Sequence, residues 1–175
     1  VTTALPPELV VLLSEDGQPI GTADKIGVHA TDTPLHLAFS CHVVRPDGRV
    51  LVTRRALSKA TWPGVWTNSF CGHPAPGEDV AAAIARRARD ELGIEVTGLD
   101  VILPDFRYRA VDASGIVENE ICPVYRAMTT DDVVPNPAEV SEFEWVDQTT
   151  LASAVAGAPF AFSPWFGWQL AQLAR

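Results

Sequence analysis

The stretch Gly72-His-Pro-Ala-Pro-Gly-Glu-Asp-Val-Ala-Ala-Ala-Ile-Ala-Arg-Arg-Ala-Arg-Asp-Glu-Leu-Gly-Ile94 decides how this chain is read. Residues 79–92 carry the strongest helical signal, and Gly93 follows as a natural stop, because glycine takes the left-handed C′ conformation without steric cost. At 100° per residue, Val80 and Ile84 define an apolar stripe, and Arg87 and Glu91 fall within it. Charges on a core-facing stripe are rare unless they are paired or bind a metal. One account is an i,i+4 ion pair at the stripe's edge. The other is a site for ions.

Outward from this helix the chain reads as short strands and turns. Leu-Val-Val-Leu-Leu (9–13) forms a strand. The β-rich run 37–44 and the run 50–55 flank a hairpin turn centred on Asp47-Gly48. Strands follow near 94–102, 105–111 and 116–126, the last two separated by the turn Asp112-Ala-Ser-Gly115. A further strand spans 142–146, then come a helix near 148–156 and another after Ser163-Pro164, where proline suits the first turn. Long loops at 27–36 and 58–77 are expected to be functional. Strands alternating with two or three helices imply an α+β or layered α/β/α domain.

The bulk properties narrow the function. A length of 175 residues predicts one domain over 1–175, with residues 1–8 a loose leader. The net charge of −9 argues against a general nucleic-acid surface. No apolar run reaches the roughly 18 residues of a membrane span. Three cysteines (Cys41, Cys71, Cys122) make a poor disulfide framework and fit a reducing, cytoplasmic setting.

The spacing from Gly72 to Ile94 resembles the Nudix box: Gly, five residues, Glu78, seven residues, Arg86, then Glu91, Gly93 and an aliphatic residue. A loop-to-helix element of this kind places carboxylates where Mg²⁺ bridges to a diphosphate. Two positions depart from the box: Arg87 replaces a Glu, and Asp90 replaces the first Glu of the terminal pair. A guanidinium in place of a carboxylate removes a cation ligand and installs an anion ligand.

Upstream, Thr61-Trp-Pro-Gly-Val-Trp-Thr-Asn-Ser-Phe-Cys-Gly-His-Pro74 holds two Trp, two Pro and two Gly, a shaped loop rather than a regular element. Cys71 is either a base or nucleophile, or a passive buried thiol. His29, His36 and His73 lie in loop-like segments. Glu118 and Glu120, two apart on a strand, share one face at a spacing of roughly 6.6 Å. Three imidazoles and two carboxylates would suit Mn²⁺, Fe²⁺ or Zn²⁺ better than Mg²⁺. His42, in an apolar run, reads as structural.

The segments 35–40 (LHLAFS), 51–74, 104–110 (PDFRYRA), 115–124 (GIVENEICPV) and 162–165 (FSPW) together resemble a type I isopentenyl-diphosphate isomerase. That resemblance implies a Nudix-type α/β/α sandwich with a mixed central sheet. It also implies interconversion of isopentenyl and dimethylallyl diphosphate through a tertiary carbocation, in isoprenoid biosynthesis. It assigns catalysis to Cys71, Glu120 and Tyr108, and a divalent metal such as Mn²⁺ to His29, His36, His73, Glu118 and Glu120. Glu91 would help hold the Mg²⁺ that accompanies the substrate. Lys25, Arg55, Lys59 and Arg87 would bind diphosphate, and Trp165 would face the reacting carbons. Partners would be limited to the prenyl diphosphate, with the chain a monomer or weak homodimer. A Nudix hydrolase of a small diphosphate is the alternative, but it calls for a Glu where Arg87 stands. A diphosphate-binding module would have no need of Cys71, Tyr108 and Glu120 together.

Overall fold

The computed structural model describes residues 8–175. The helix that anchors the fold, α2, runs Val80–Leu92. The β-strands are β1 Leu9–Leu13, β2 Pro19–Asp24, β3 His36–Leu37, β4 Phe39–Val44, β5 Val50–Arg55, β6 Trp66–Thr67, β7 Phe70–Gly72, β8 Thr97–Leu103, β9 Arg107–Val111, β10 Val117–Ile121, β11 Val124–Met128 and β12 Val140–Val146. The other helices are α1 Lys25–Val28, α3 Gln148–Gly157 and α4 Pro164–Leu173, with a short 3₁₀ turn at Pro159–Ala161. The leader expected over 1–8 lies, except for Glu8, outside the described residues.

The strands form two mixed sheets. The first has the order β2-β1-β3-β10-β9; the second has β12-β5-β4-β11-β8, with β6 beside β5 and β7 beside β4. The run 116–126 is therefore two strands. β10 belongs to the first sheet and β11 to the second, with Cys122-Pro123 between them. The segment 36–44 does the same, with Ala38 between β3 and β4. β3 runs parallel to β10, and β4 parallel to β11, so two neighbouring chains change sheets side by side. The bonds Ala38 N–H to Ile121 O (3.0 Å) and Ser40 N–H to Pro123 O (3.1 Å) continue their pairing through the change.

Strand alternation sorts the second sheet's side chains into two cores. Phe39, Cys41, Val43 and Leu51 pack with Ala83, Ile84, Ala88 and Leu92 of α2. Val50, Val52 and Val124 face the opposite way, onto Leu151 and Val155 of α3, Trp165 and Phe166 of α4, Phe106 just before β9 and Tyr108 within it. Helices on both faces of this sheet make the layered sandwich of the α+β class. Ile84 and Leu92 are wholly buried, each worth about 1.5–3 kcal/mol.

α2 begins where Asp79 accepts from the N–H groups of Ala81 (2.9 Å) and Ala82 (3.2 Å), satisfying donors the helix cannot. It ends at Gly93, φ 65°, whose N–H returns to Arg89 O while that of Ile94 returns to Ala88 O, a glycine-terminated C-cap. Among the described residues, no helix is long and apolar enough to cross a membrane.

Candidate active site

The sheet change gathers the titratable residues. In the parallel register His36 lies beside Glu120. His29 leaves the C-terminal end of α1, a turn started by the Asp24 carboxylate accepting from Ile26 N–H at 2.9 Å. His73 follows β7. The imidazole nitrogens lie 3.1 Å (His73 Nε2), 3.3 Å (His36 Nε2) and 4.0 Å (His29 Nε2) from Glu120 Oε1. One ligand atom from each of these four residues falls within 4.8 Å of all the others.

His36 tests whether the group fits a metal. Its Nδ1 lies 2.9 Å from Pro34 O, and a carbonyl only accepts, so Nδ1 carries the hydrogen. In the neutral ring Nε2 then turns a lone pair toward another acceptor, Glu120, and has no donor of its own. Two such buried acceptors need a proton or a metal cation between them, and a backbone carbonyl that fixes the opposite nitrogen is the usual second contact of a ligating histidine. Burial pushes the Glu120 carboxyl upward, but the three imidazoles outweigh this and hold it well below the carboxylate range. Burial draws His73 down to about 4 despite Glu120. At His36 burial also opposes charge, but Glu120 and the Pro34 carbonyl prevail and raise it. An ionised carboxylate among imidazole nitrogens is a donor set suited to a divalent metal.

Glu118 stands outside that group of four. Its Oε1 accepts from Thr61 Oγ1 at 2.6 Å and its Oε2 lies 2.7 Å from Tyr108 Oη, which is also 2.8 Å from Glu120 Oε2. β9–β10 pairing sets this up, since Tyr108 is directly opposite Glu120. One phenolic hydrogen cannot serve both carboxylates at once, so the three side chains compete for protons. Burial, then Glu118 and Glu120, push the Tyr108 phenol well above its ordinary value.

Cys71 lies across β4–β7 from Ser40. Its Sγ is 3.2 Å from Ser40 Oγ and 3.3 Å from Asn68 Nδ2. Burial pushes the thiol up to about 12, against the pull of the Ser40 and Asn68 hydrogen bonds. Trp165, 1% exposed, donates its indole N–H to Asn68 Oδ1 at 3.2 Å. Its ring meets Tyr108 at 5.5 Å and Trp62 edge-on at 5.2 Å, and the Arg55 guanidinium lies 5.6 Å from its centroid. Trp62 has φ 42°, a conformation bulky residues rarely adopt.

The four cations expected to bind diphosphate all have partners. Lys25 pairs with Glu8 (2.5 Å), and Lys59 with Glu139 (2.6 Å). Arg87, buried, pairs with Glu91 and lies 3.5 Å from Glu139. Arg55 donates to the Thr61 and Trp62 carbonyls and to Thr61 Oγ1. Glu91 is thus held by Arg87, and burial raises its carboxyl. A hollow of about 270 Å³ beside His73 is also lined by Glu8, Lys25 and Arg86. Sequence reasoning passed over Ser40, Thr61, Asn68 and Glu139. The first three are small uncharged residues that announce nothing, while Glu139, an acid beside a proline-rich loop, offered a weak signal.

Residues 34–166 match the NUDIX domain family, and that class accounts for both the sandwich and the loop–helix element at its centre. An isopentenyl-diphosphate Delta-isomerase of Clavibacter michiganensis is 63% identical over 93% of this chain and 84% of its own length. One from Leifsonia xyli is 63% identical over 96% and 92%, and one from Citrobacter koseri 56% over 90% and 87%. The chain belongs to the isopentenyl-diphosphate Delta-isomerases of the NUDIX family. A solved Deinococcus radiodurans protein shares the fold, with a TM-score of 0.74 and 19% identity over 96% of this chain and 100% of its own. A MutT protein from Methanosarcina mazei does so with a TM-score of 0.66 and 20% identity over 81% and 94%.

Proposed function

We infer that this chain is an enzyme that interconverts isopentenyl and dimethylallyl diphosphate, placing one proton on the five-carbon unit and removing another. The observation that carries this reading is the convergence of Cys71 and the Tyr108–Glu120 pair, from different sheets, on the buried indole of Trp165. Moving a double bond needs a proton donor and a proton acceptor around a flat carbon skeleton. Glu120, hydrogen-bonded to Tyr108, serves as donor and Cys71 as acceptor, which requires the proton that the buried thiol holds in the free chain to reside on Glu120 when substrate is bound. The tertiary cation between the two transfers is flanked by Trp165, whose π face contributes about 2 kcal/mol when water is excluded. Trp62, Trp165 and Phe106 line the surroundings with apolar surface, which keeps water from capturing the cation.

His29, His36, His73 and Glu120, with Glu118 two residues away on the same strand, would hold a divalent ion such as Mn²⁺, which would supply a fixed positive charge that tunes the Glu120 carboxyl. Lys25, Arg55, Lys59 and Arg87 would bind the diphosphate by exchanging their present partners for its oxygens, and Glu91 and Glu139, released from the cations, would hold the accompanying Mg²⁺. Arg87, where a hydrolase would carry a metal-binding Glu, favours phosphate binding over cleavage.

The test is an NMR assay with Mg²⁺ and isopentenyl diphosphate in D₂O. Deuterated dimethylallyl diphosphate is expected, and Cys71→Ala should abolish its formation while leaving diphosphate binding intact. Release of phosphate or pyrophosphate in place of isomerisation would overturn the reading.

A further inference from the structure

A chain of buried polar side chains runs away from Cys71 into the core and has no part in the chemistry described above. Ser40 Oγ lies 3.2 Å from Cys71 Sγ. Gln169 Nε2 donates to that same Ser40 oxygen at 2.9 Å. Gln169 Oε1 lies 2.8 Å from His42 Nε2. Ser40 and Gln169 are wholly buried and His42 is 5% exposed.

With the Gln169 carboxamide oxygen toward His42 and its nitrogen toward Ser40, as the structure orients them, the hydrogens follow from the donors and acceptors. A carboxamide oxygen only accepts, so the His42 nitrogen facing it carries a hydrogen. The same orientation turns the Gln169 NH₂ group toward Ser40. The serine oxygen therefore accepts, and its own hydrogen must go elsewhere. The remaining neighbours are sulfurs: Cys71 at 3.2 Å and Cys122 at 3.4 Å. Cys71 is the nearer. Burial draws His42 below its ordinary value, consistent with the neutral ring this arrangement needs.

The fold supplies a second donor to the same sulfur from the same helix. Trp165 and Gln169 are four residues apart on α4, hence on one face. Trp165 fixes Asn68, whose amide nitrogen lies 3.3 Å from Cys71 Sγ. Gln169 fixes Ser40 in the parallel way. Strand alternation puts Ser40 and His42 on the face of β4 opposite Phe39, Cys41 and Val43, toward this helix. Three polar side chains in a core cost stability unless every group is satisfied. An apolar trio would fill the space without that risk.

We propose that Gln169, backed by His42, is a positioning residue that sets the Ser40 hydroxyl as a hydrogen-bond donor to the Cys71 sulfur. Ser40 thereby aims the sulfur for proton transfer, an inference that rests on Cys71 being the proton acceptor of the proposed reaction.

The experiment measures kcat, KM and Tm for the full chain with Mg²⁺ and isopentenyl diphosphate. The variants are Ser40→Ala, Gln169→Met, the two combined, and Cys71→Ala. Ser40→Ala deletes a single oxygen, so the proposal can fail on that variant alone. It should lower kcat about tenfold, the scale of one hydrogen bond to a reacting group, while leaving KM within about twofold. Gln169→Met should lower kcat as well. The double variant should be no slower than the slower single one, because the two act through one contact. Unchanged kcat in Ser40→Ala beside an inactive Cys71→Ala would overturn this inference alone, as would losses that multiply in the double variant or fall on KM. Full turnover by Cys71→Ala would overturn the reading of Cys71 itself.

Discussion

His42 shows what a single buried residue does to the pH response. Burial lowers its affinity for a proton from the ordinary 6.5, against the pull of Gln169. The folded chain therefore keeps it neutral while the unfolded chain protonates it. Below 6.5 the unfolded state binds more protons, so stability rises with pH. This contribution is undiminished above the unfolded value and is lost progressively as pH falls from there toward the folded value. His42→Phe should flatten the slope of urea midpoints below the ordinary 6.5 relative to the parent, at some loss of stability from the orphaned Gln169. An unchanged slope would remove His42 as the source. At this scale legibility follows chemistry. Cys71, Tyr108, Glu120 and the three histidines are reactive types in unusual contexts, so a reader stops at them. Ser40, Asn68 and Gln169 are common residues whose importance lies wholly in what they touch.

Among the elements, α2 depends on close approach to β7. A Cβ built on Gly72 would sit 2.7 Å from Phe39 Cζ and 2.9 Å from Arg87 Cγ, closer than real contacts allow. Phe39 is a fully buried ring and Arg87 is tied to Glu91, so neither yields easily. Gly72→Ala should cost about 1–3 kcal/mol, seen as a lowered Tm, and should weaken diphosphate binding through displacement of Arg87. A Tm equal to the parent's would show that the strand shifts freely. α2 itself was legible because its cap, stripe and terminal glycine are local signals. The run 116–126 was not legible as two strands, since apolar residues continue through Cys122 and nothing local marks the change of sheet. β6 and β7, only two and three residues long, exist through pairing with β5 and β4, so the loop read over 58–77 concealed them. β2 and α1, in the polar stretch before His29, lacked the periodicity that would reveal them.

The described residues form two sheets joined where two parallel segments cross from one to the other. His36 and Glu120 belong to the first sheet, while His73 is anchored by β7 in the second. A divalent ion held by these residues ties the sheets together and stabilises only the folded chain. Mn²⁺ at about a hundred times its Kd should add about 2.7 kcal/mol, read as a rise in Tm that a chelator reverses. His36→Ala should abolish most of that rise. A rise that survives in this variant would place the ion elsewhere. Layering and class were legible in the order of strands and helices, whereas the division into two sheets was set by pairings between distant segments.

That division bears on how the chain reaches its folded state. Ser40 and Cys122, in contact beside the crossing, are 82 residues apart along the chain. Closing so long a loop costs entropy before any contact repays it, and folds dominated by such pairings form slowly. The imidazoles, the carboxylates and the thiol come into range of one another only once the segments around 36–44 and 117–128 have met. Metal uptake during refolding should therefore trail the appearance of helix, making the ion a clock for the last long-range step of assembly.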